Sequence, residues 1–161
     1  MLALRYAAVL ALVLWIGGLI ALGALAAPAA FDVLGPSGAH GRALAGSVVA
    51  ETLRRFNLVA YACGAVVLLS LAVRGVLGPR PRRFAIRVAG LLVMIGAAAY
   101  AGEIVGPRIA RAQDAIGAAP STLDPADPRR VEFGRLHATS VSVQLVPLIG
   151  GLVLLFFELR D

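Results

Sequence analysis

The chain has no lysine: all 15 of its basic residues are arginine. Arginine carries a planar, bidentate guanidinium where lysine carries a compact ammonium. The same sequence is rich in alanine, glycine and proline, so this usage reads first as compositional bias. Cysteine is almost absent as well. The lone Cys63 excludes an intramolecular disulfide, and its apolar neighbours mark it as an inert core thiol. Charge is scarce too, at 15% of residues against 60% hydrophobic. A soluble domain would be about half apolar and a quarter charged. The apolar excess has to be hidden from water, and lipid is the natural place for it. The length fits one compact domain.

Recognisable catalytic patterns are missing. There is no phosphate-binding glycine loop, nucleophile elbow or metalloprotease helix, so no catalytic residue is nominated. The net charge of +6 raises nucleic acid as a partner. However, the arginines gather at the ends of apolar runs, as topology signals do, and no basic stripe interleaves with aromatics.

What is present is a set of long apolar runs. A membrane-crossing helix needs about 20 mostly apolar residues, and four stretches qualify: residues 4–27, 58–77, 84–105 and 138–159. Ala24-Leu25-Ala26 resembles a signal-peptide cleavage site, but signal cores are usually about 7–15 residues. The first run is longer, so it is expected to be a retained helix. At and between the facing ends of the second and third runs lie Arg74, Arg80, Arg82, Arg83 and Arg87, without an acid. The positive-inside rule makes that loop cytoplasmic, and four crossings then put both termini on the same side.

The two connections on the other side carry helical signals. Ser37 is a candidate N-cap, followed by Leu44, Val48, Val49 and Phe56 at helical spacing, so an amphipathic helix should run straight into the second crossing. Asp124-Pro125 and Asp127-Pro128 are N-cap and first-turn pairs, and a helix from there should continue through His137 into the fourth. Pro107 predicts a break above the third, and Gly117 to Leu123 is left as loop. The expected fold is all-α: an integral-membrane four-helix bundle, residues 1–161, with helical extensions forming a small polar cap on the non-cytoplasmic side.

In this topology unusual polar residues meet at one membrane face. Arg54, Arg55 and Asn57 enter the second crossing, with Tyr61 one turn below. Tyr100 and Glu103 close the third, with Arg108 just beyond. Arg135 and His137 open the fourth, and His137, Ser140 and Gln144 share one helix face at spacings of three and four. Polar groups at such depth are costly unless they pair or do work. Glu103 has Arg54, Arg55, Arg108 and Arg135 as candidate partners. Three readings of Glu103 stay open: an ion-pair lock across the helix mouths, a small pocket for an ion, proton or anionic ligand, or an interfacial residue that simply faces water. No metal site is nominated, because His137 lacks further ligands at metal spacing. Heme would need axial ligands within the bundle, and neither His40 nor His137 lies deep in a crossing.

Several stretches resemble the transmembrane protein 205-like family, a domain of unknown function found in bacteria and eukaryotes. They are Leu14-Trp15-Ile16-Gly17-Gly18 with Ala27-Pro28 and Phe31; Arg54-Arg55-Phe56-Asn57; Pro107-Arg108-Ile109; and Glu132-Phe133-Gly134-Arg135-Leu136-His137 with Ser140. Where that family often has Asn one turn after the Ser, this chain has Gln144. The resemblance implies a four-span membrane protein without an established activity. A more distant likeness, in Trp15-Ile16-Gly17-Gly18, is to copper-resistance protein D and the heme-containing membrane protoporphyrinogen oxidase. Those typically carry a histidine upstream of the Trp, and residues 5–14 here have none, which argues against carrying over copper or heme. The expectations are therefore no cofactor, the lipid bilayer as partner together with a homo-oligomer or another membrane protein, and a bacterial inner membrane as location. Handling of a small ligand or ion, or scaffolding, is the expected role. A copper or heme protein and an oligomeric transporter subunit are the alternatives.

Overall fold

A computed structural model describes residues 1–78 and 80–160. Among these residues every regular element is helical and no strand occurs. Helix α1 spans Leu2–Ala21, α2 Ala27–Leu34, α3 Gly38–Leu77, α4 Phe84–Ala99, α5 Gly106–Ile116 and α6 Pro128–Arg160. Three helical runs are long and apolar enough to cross a membrane: Leu2–Leu77, Phe84–Ile116 and Pro128–Arg160.

The first of these runs folds back on itself. α1 and α2 both pack along α3, and a short 3-10 turn at Gly35–Ser37 makes the reversal. Gly38 then takes φ +87°, a conformation that residues with a Cβ rarely adopt. Ser37 occupies the N-cap position of α3, but its side chain makes no capping hydrogen bond. From Gly38 the helix continues unbroken through Asn57 to Leu77, as the amphipathic pattern predicts. α4 packs against α3 and α6, and α1 also packs against α6. Their shared interior holds Leu12, Trp15, Val67, Leu71, Leu91, Met94 and Leu154.

Each of the first two runs contains a π turn, at Leu22–Ala26 and Tyr100–Val105. Both end two residues before a proline, Pro28 and Pro107. Proline offers no N–H to the carbonyl four residues back, and its ring crowds that carbonyl. Widening the turn by one residue relieves the conflict and keeps the helix going. The break expected at Pro107 thus takes the form of a π turn ahead of it. The carbonyl affected is that of Glu103.

The remaining segments form a helical hairpin. Gly117 closes α5 in the left-handed region, with its N–H donating to the Gln113 carbonyl at 3.1 Å. A single 3-10 turn at Pro120–Thr122 interrupts the connection that follows. α6 begins at Pro128, where the Asp127 carboxylate accepts the Arg129 N–H at 2.8 Å. It runs uninterrupted through His137 to Arg160. Arg42 on α3 donates to Ser121 at 3.1 Å, tying that connection to the N-terminal half of α3.

The outward surface is apolar. Leu10, Leu14, Leu58, Leu69, Leu92, Val93, Ile149 and Leu152 are each at least half exposed. Water penalises so many exposed apolar side chains, and hydrocarbon tolerates them. Together with the length of the helices, this is the surface of a membrane protein.

Candidate functional site

Two polar centres form, at opposite ends of the helices. The first is where the sequence points. Tyr61 on α3 donates its hydroxyl to Glu103 Oε1 at 3.1 Å. Glu103 sits inside the second π turn, and Gly102 beside it leaves the gap that the bond needs. A Cβ on Gly102 would lie 2.6 Å from Asn57 Nδ2 and 3.0 Å from the Tyr61 hydroxyl. Asn57, Tyr61 and Glu103 are therefore brought together. Asn57 is buried, Tyr61 half-buried and Glu103 exposed. α6 packs against the same π turn.

Three of the four arginines nominated for Glu103 are engaged elsewhere. Arg54 donates through Nε and Nη2 to both Glu51 oxygens, at 2.7 and 2.9 Å, and Arg55 Nε reaches Glu51 Oε1 at 2.7 Å. Those contacts, Arg54 first, pull the Glu51 carboxyl down to about 2. Arg135 pairs with Glu132 one turn back at 2.8 Å. These are local pairs one turn apart on exposed faces, where solvent screens the attraction. Arg108 and Tyr100 are exposed, and neither side chain makes a hydrogen bond among the described residues.

The His137–Ser140–Gln144 stripe separates by depth. The His137 ring stacks on Phe133, with centroids 6.3 Å apart and planes 6° from parallel. His137 itself is exposed, Ser140 buried and Gln144 half-buried. No group of three or more His, Cys, Asp and Glu converges among the described residues.

The second centre went unread in the sequence. Glu158 on α6 is 2% exposed, and Arg87 at the start of α4 is 1% exposed. Arg74 Nη1, near the end of α3, donates to Glu158 Oε2 at 2.7 Å, and Arg87 Nη1 to Glu158 Oε1 at 2.9 Å. Arg87 Nη2 also reaches the Phe157 carbonyl at 3.0 Å, and Arg5 Nε on α1 the Glu158 carbonyl at 2.8 Å. One residue of α6 is thus held by α1, α3 and α4 at once. Buried charges persist only when paired and hydrogen-bonded, and arginine's fork suits such a junction. The signal was there: Glu158 is the acid at the end of the fourth apolar run, level with Arg74 and Arg87. Arginines at span ends read more readily as headgroup contacts.

Around this junction the surface is strongly cationic. A cavity of about 460 Å³ opens between Met1, Leu2, Arg5, Arg74, Arg80, Pro81 and Arg82. A second, of about 350 Å³, is lined by Arg82, Arg83, Arg87, Phe156, Phe157 and Arg160.

Residues 10–118 match the family model described as a domain of unknown function, DUF4149. Comparison with curated proteins and with solved structures gave no match.

Proposed function

The chain belongs to this family of domains of unknown function, and from that premise we propose that it is a four-span membrane protein that handles a small ligand or ion at its Tyr61–Glu103 pair. The finer kinship we propose is with the transmembrane protein 205-like proteins, on the Phe133-to-His137 motif with Ser140. In this reading α1, the inner half of α3, α4 and the inner half of α6 are the crossings of a four-helix bundle. The outer half of α3, α2, α5 and the start of α6 are its polar cap. The arginine-bearing α3–α4 connection faces the cytoplasm, with both termini, and the membrane is a bacterial inner membrane. No cofactor enters this account, and the protein acts by binding rather than by covalent chemistry.

One observation carries the proposal: a carboxylate at a helix mouth takes a hydrogen bond from a tyrosine of another helix, not an arginine. Tyr61 orients Glu103 without neutralising it, and the exposed side of Glu103 remains open to a cation, a proton or a second copy of the chain. Arg55, Arg108, Arg135 and His137 would lie around that mouth as the cap's polar rim.

Purified protein in mild detergent tests this, by thermal unfolding across a series of monovalent and divalent cations and of pH, for wild type and Glu103→Gln. A cation- or proton-dependent rise in Tm that Glu103→Gln abolishes is the expected result. If both proteins respond identically and the substitution only lowers Tm, the pair is structural and the proposal fails.

A further inference from the structure

We propose that the cationic rim around Arg5, Arg80 and Arg82 is a binding site for the phosphate group of an anionic phospholipid headgroup. The inference goes beyond the outer-mouth reading and shares with it only the membrane location.

Charge balance is the first support. The rim gathers Arg5, Arg74, Arg80, Arg82, Arg83, Arg87 and Arg160, while the nearby acids in sequence are Glu158 and Asp161. Glu158 is spent on the interior junction, its two oxygens facing Arg74 and Arg87. Arg80 and Arg82 are exposed and make no ion pair with any described residue. They face the same 460 Å³ cavity as Arg5. A concentration of like charge is unfavourable unless a counter-anion is bound.

Construction of the rim is the second support. Pro81, between the two exposed arginines, is buried and locks its own φ, so Arg80 and Arg82 project from an anchored point. Arg83 follows at φ 56°, a left-handed conformation that a non-glycine residue rarely adopts. That backbone lets its guanidinium lie 5.5 Å from the centroid of the Phe157 ring, and Arg160 lies 4.7 Å from that of Phe156. Arg5 is held by its Nε bond to Glu158, which leaves its terminal nitrogens for another acceptor.

The surroundings choose the anion. Leu2 and Met1 line the first cavity, and Phe156 and Phe157 the second, so each basic pocket has an apolar flank at the end of a membrane-length helix. A phosphate carrying acyl chains satisfies both surfaces; free phosphate satisfies only the first. Basic pockets between membrane helices are known to take anionic headgroups.

Native mass spectrometry of the full chain in mild detergent decides between these, using phosphatidylglycerol, a two-phosphate cardiolipin, phosphatidylcholine and inorganic phosphate as probes. Wild type should retain the anionic lipids in preference to phosphatidylcholine, and Arg80→Gln with Arg82→Gln should weaken that retention roughly 10- to 30-fold, at about a tenfold change per 1.4 kcal/mol. Unchanged thermal unfolding of the double variant separates lost binding from lost folding. Saturable inorganic phosphate binding that depends on the same two arginines supports the phosphate site and assigns it to the free anion. Equal retention of anionic and zwitterionic lipid, or retention indifferent to both substitutions, overturns the proposal.

Discussion

Arg74 Nη1 lies 2.7 Å from Glu158 Oε2, and the opposite oxygen of the same carboxylate lies 2.9 Å from Arg87. The junction joins side chains more than 70 residues apart in sequence. Removing one member of a buried ion cluster typically costs about 3–5 kcal/mol. Glu158→Ala should therefore destabilise the protein by about that amount in denaturant titrations followed by circular dichroism. Arg87→Lys should also be destabilising, because one ammonium does not reproduce the fork that reaches Glu158 and the Phe157 carbonyl together.

Adjacent glycines in α1 should respond with opposite sign. A Cβ on Gly18 would overlap the Phe56 ring, whereas one on Gly17 meets nothing within 4 Å. Gly18→Ala forces the ring aside and should cost about 1–3 kcal/mol. Gly17→Ala gains helix propensity, and should be neutral or stabilising by up to about 1 kcal/mol. Thermal unfolding of the two variants side by side is the measurement.

Gly102→Ala should disrupt the Tyr61–Glu103 centre without replacing Glu103. Its Cβ takes space held by the Asn57 amide and the Tyr61 hydroxyl, so the Tyr61–Glu103 bond should break. Any cation response seen in wild type should then fall as it does in Tyr61→Phe. A response retained in Gly102→Ala but lost in Tyr61→Phe would contradict this geometry.

Asp127 gives a pH dependence of known sign. The Arg129 side chain and then its N–H hold the Asp127 carboxyl below its usual 3.8. A carboxyl depressed in the folded state binds its proton more weakly there than in the unfolded chain. Its contribution is present in full above 3.8 and is lost as pH falls through the lower, folded-state value. Asparagine caps a helix nearly as well but carries no charge. The Tm difference between wild type and Asp127→Asn should therefore be constant near neutrality and vanish in acid.

Labelling tests the proposed four crossings. In a Cys63→Ser background, Ser121→Cys should react with an impermeant maleimide added to intact cells. Arg82→Cys should react only after lysis. Reaction of both from the same side would rule out the proposed topology.

Local pattern carried much of this structure. The path of α3 from Gly38 through Asn57 to Leu77 was legible because an amphipathic stripe leads without a breaker into an apolar run. The start of α6 was legible because Asp127-Pro128 is an N-cap followed by a first-turn proline. Pairings were harder. Glu103 lies within reach of several arginines on paper, yet Glu51 and Glu132 are one turn from theirs, and proximity along a helix wins. Both π turns escaped notice because an extra residue in a turn leaves no mark of its own; Pro28 and Pro107 were the only hints. Asn57, Tyr61 and Glu103 meet across a gap that depends on Gly102, a dependence that no spacing along the chain displays.

Glu158 also imposes an order on assembly. Arg5, Arg74 and Arg87 all precede it along the chain, so the helices that carry them are synthesised before the carboxylate that joins them. Until α6 is made, Glu158 is not there to bridge them. Its arrival supplies the latch, so a chain ending before α6 would lack the contact that draws α1, α3 and α4 together at this end.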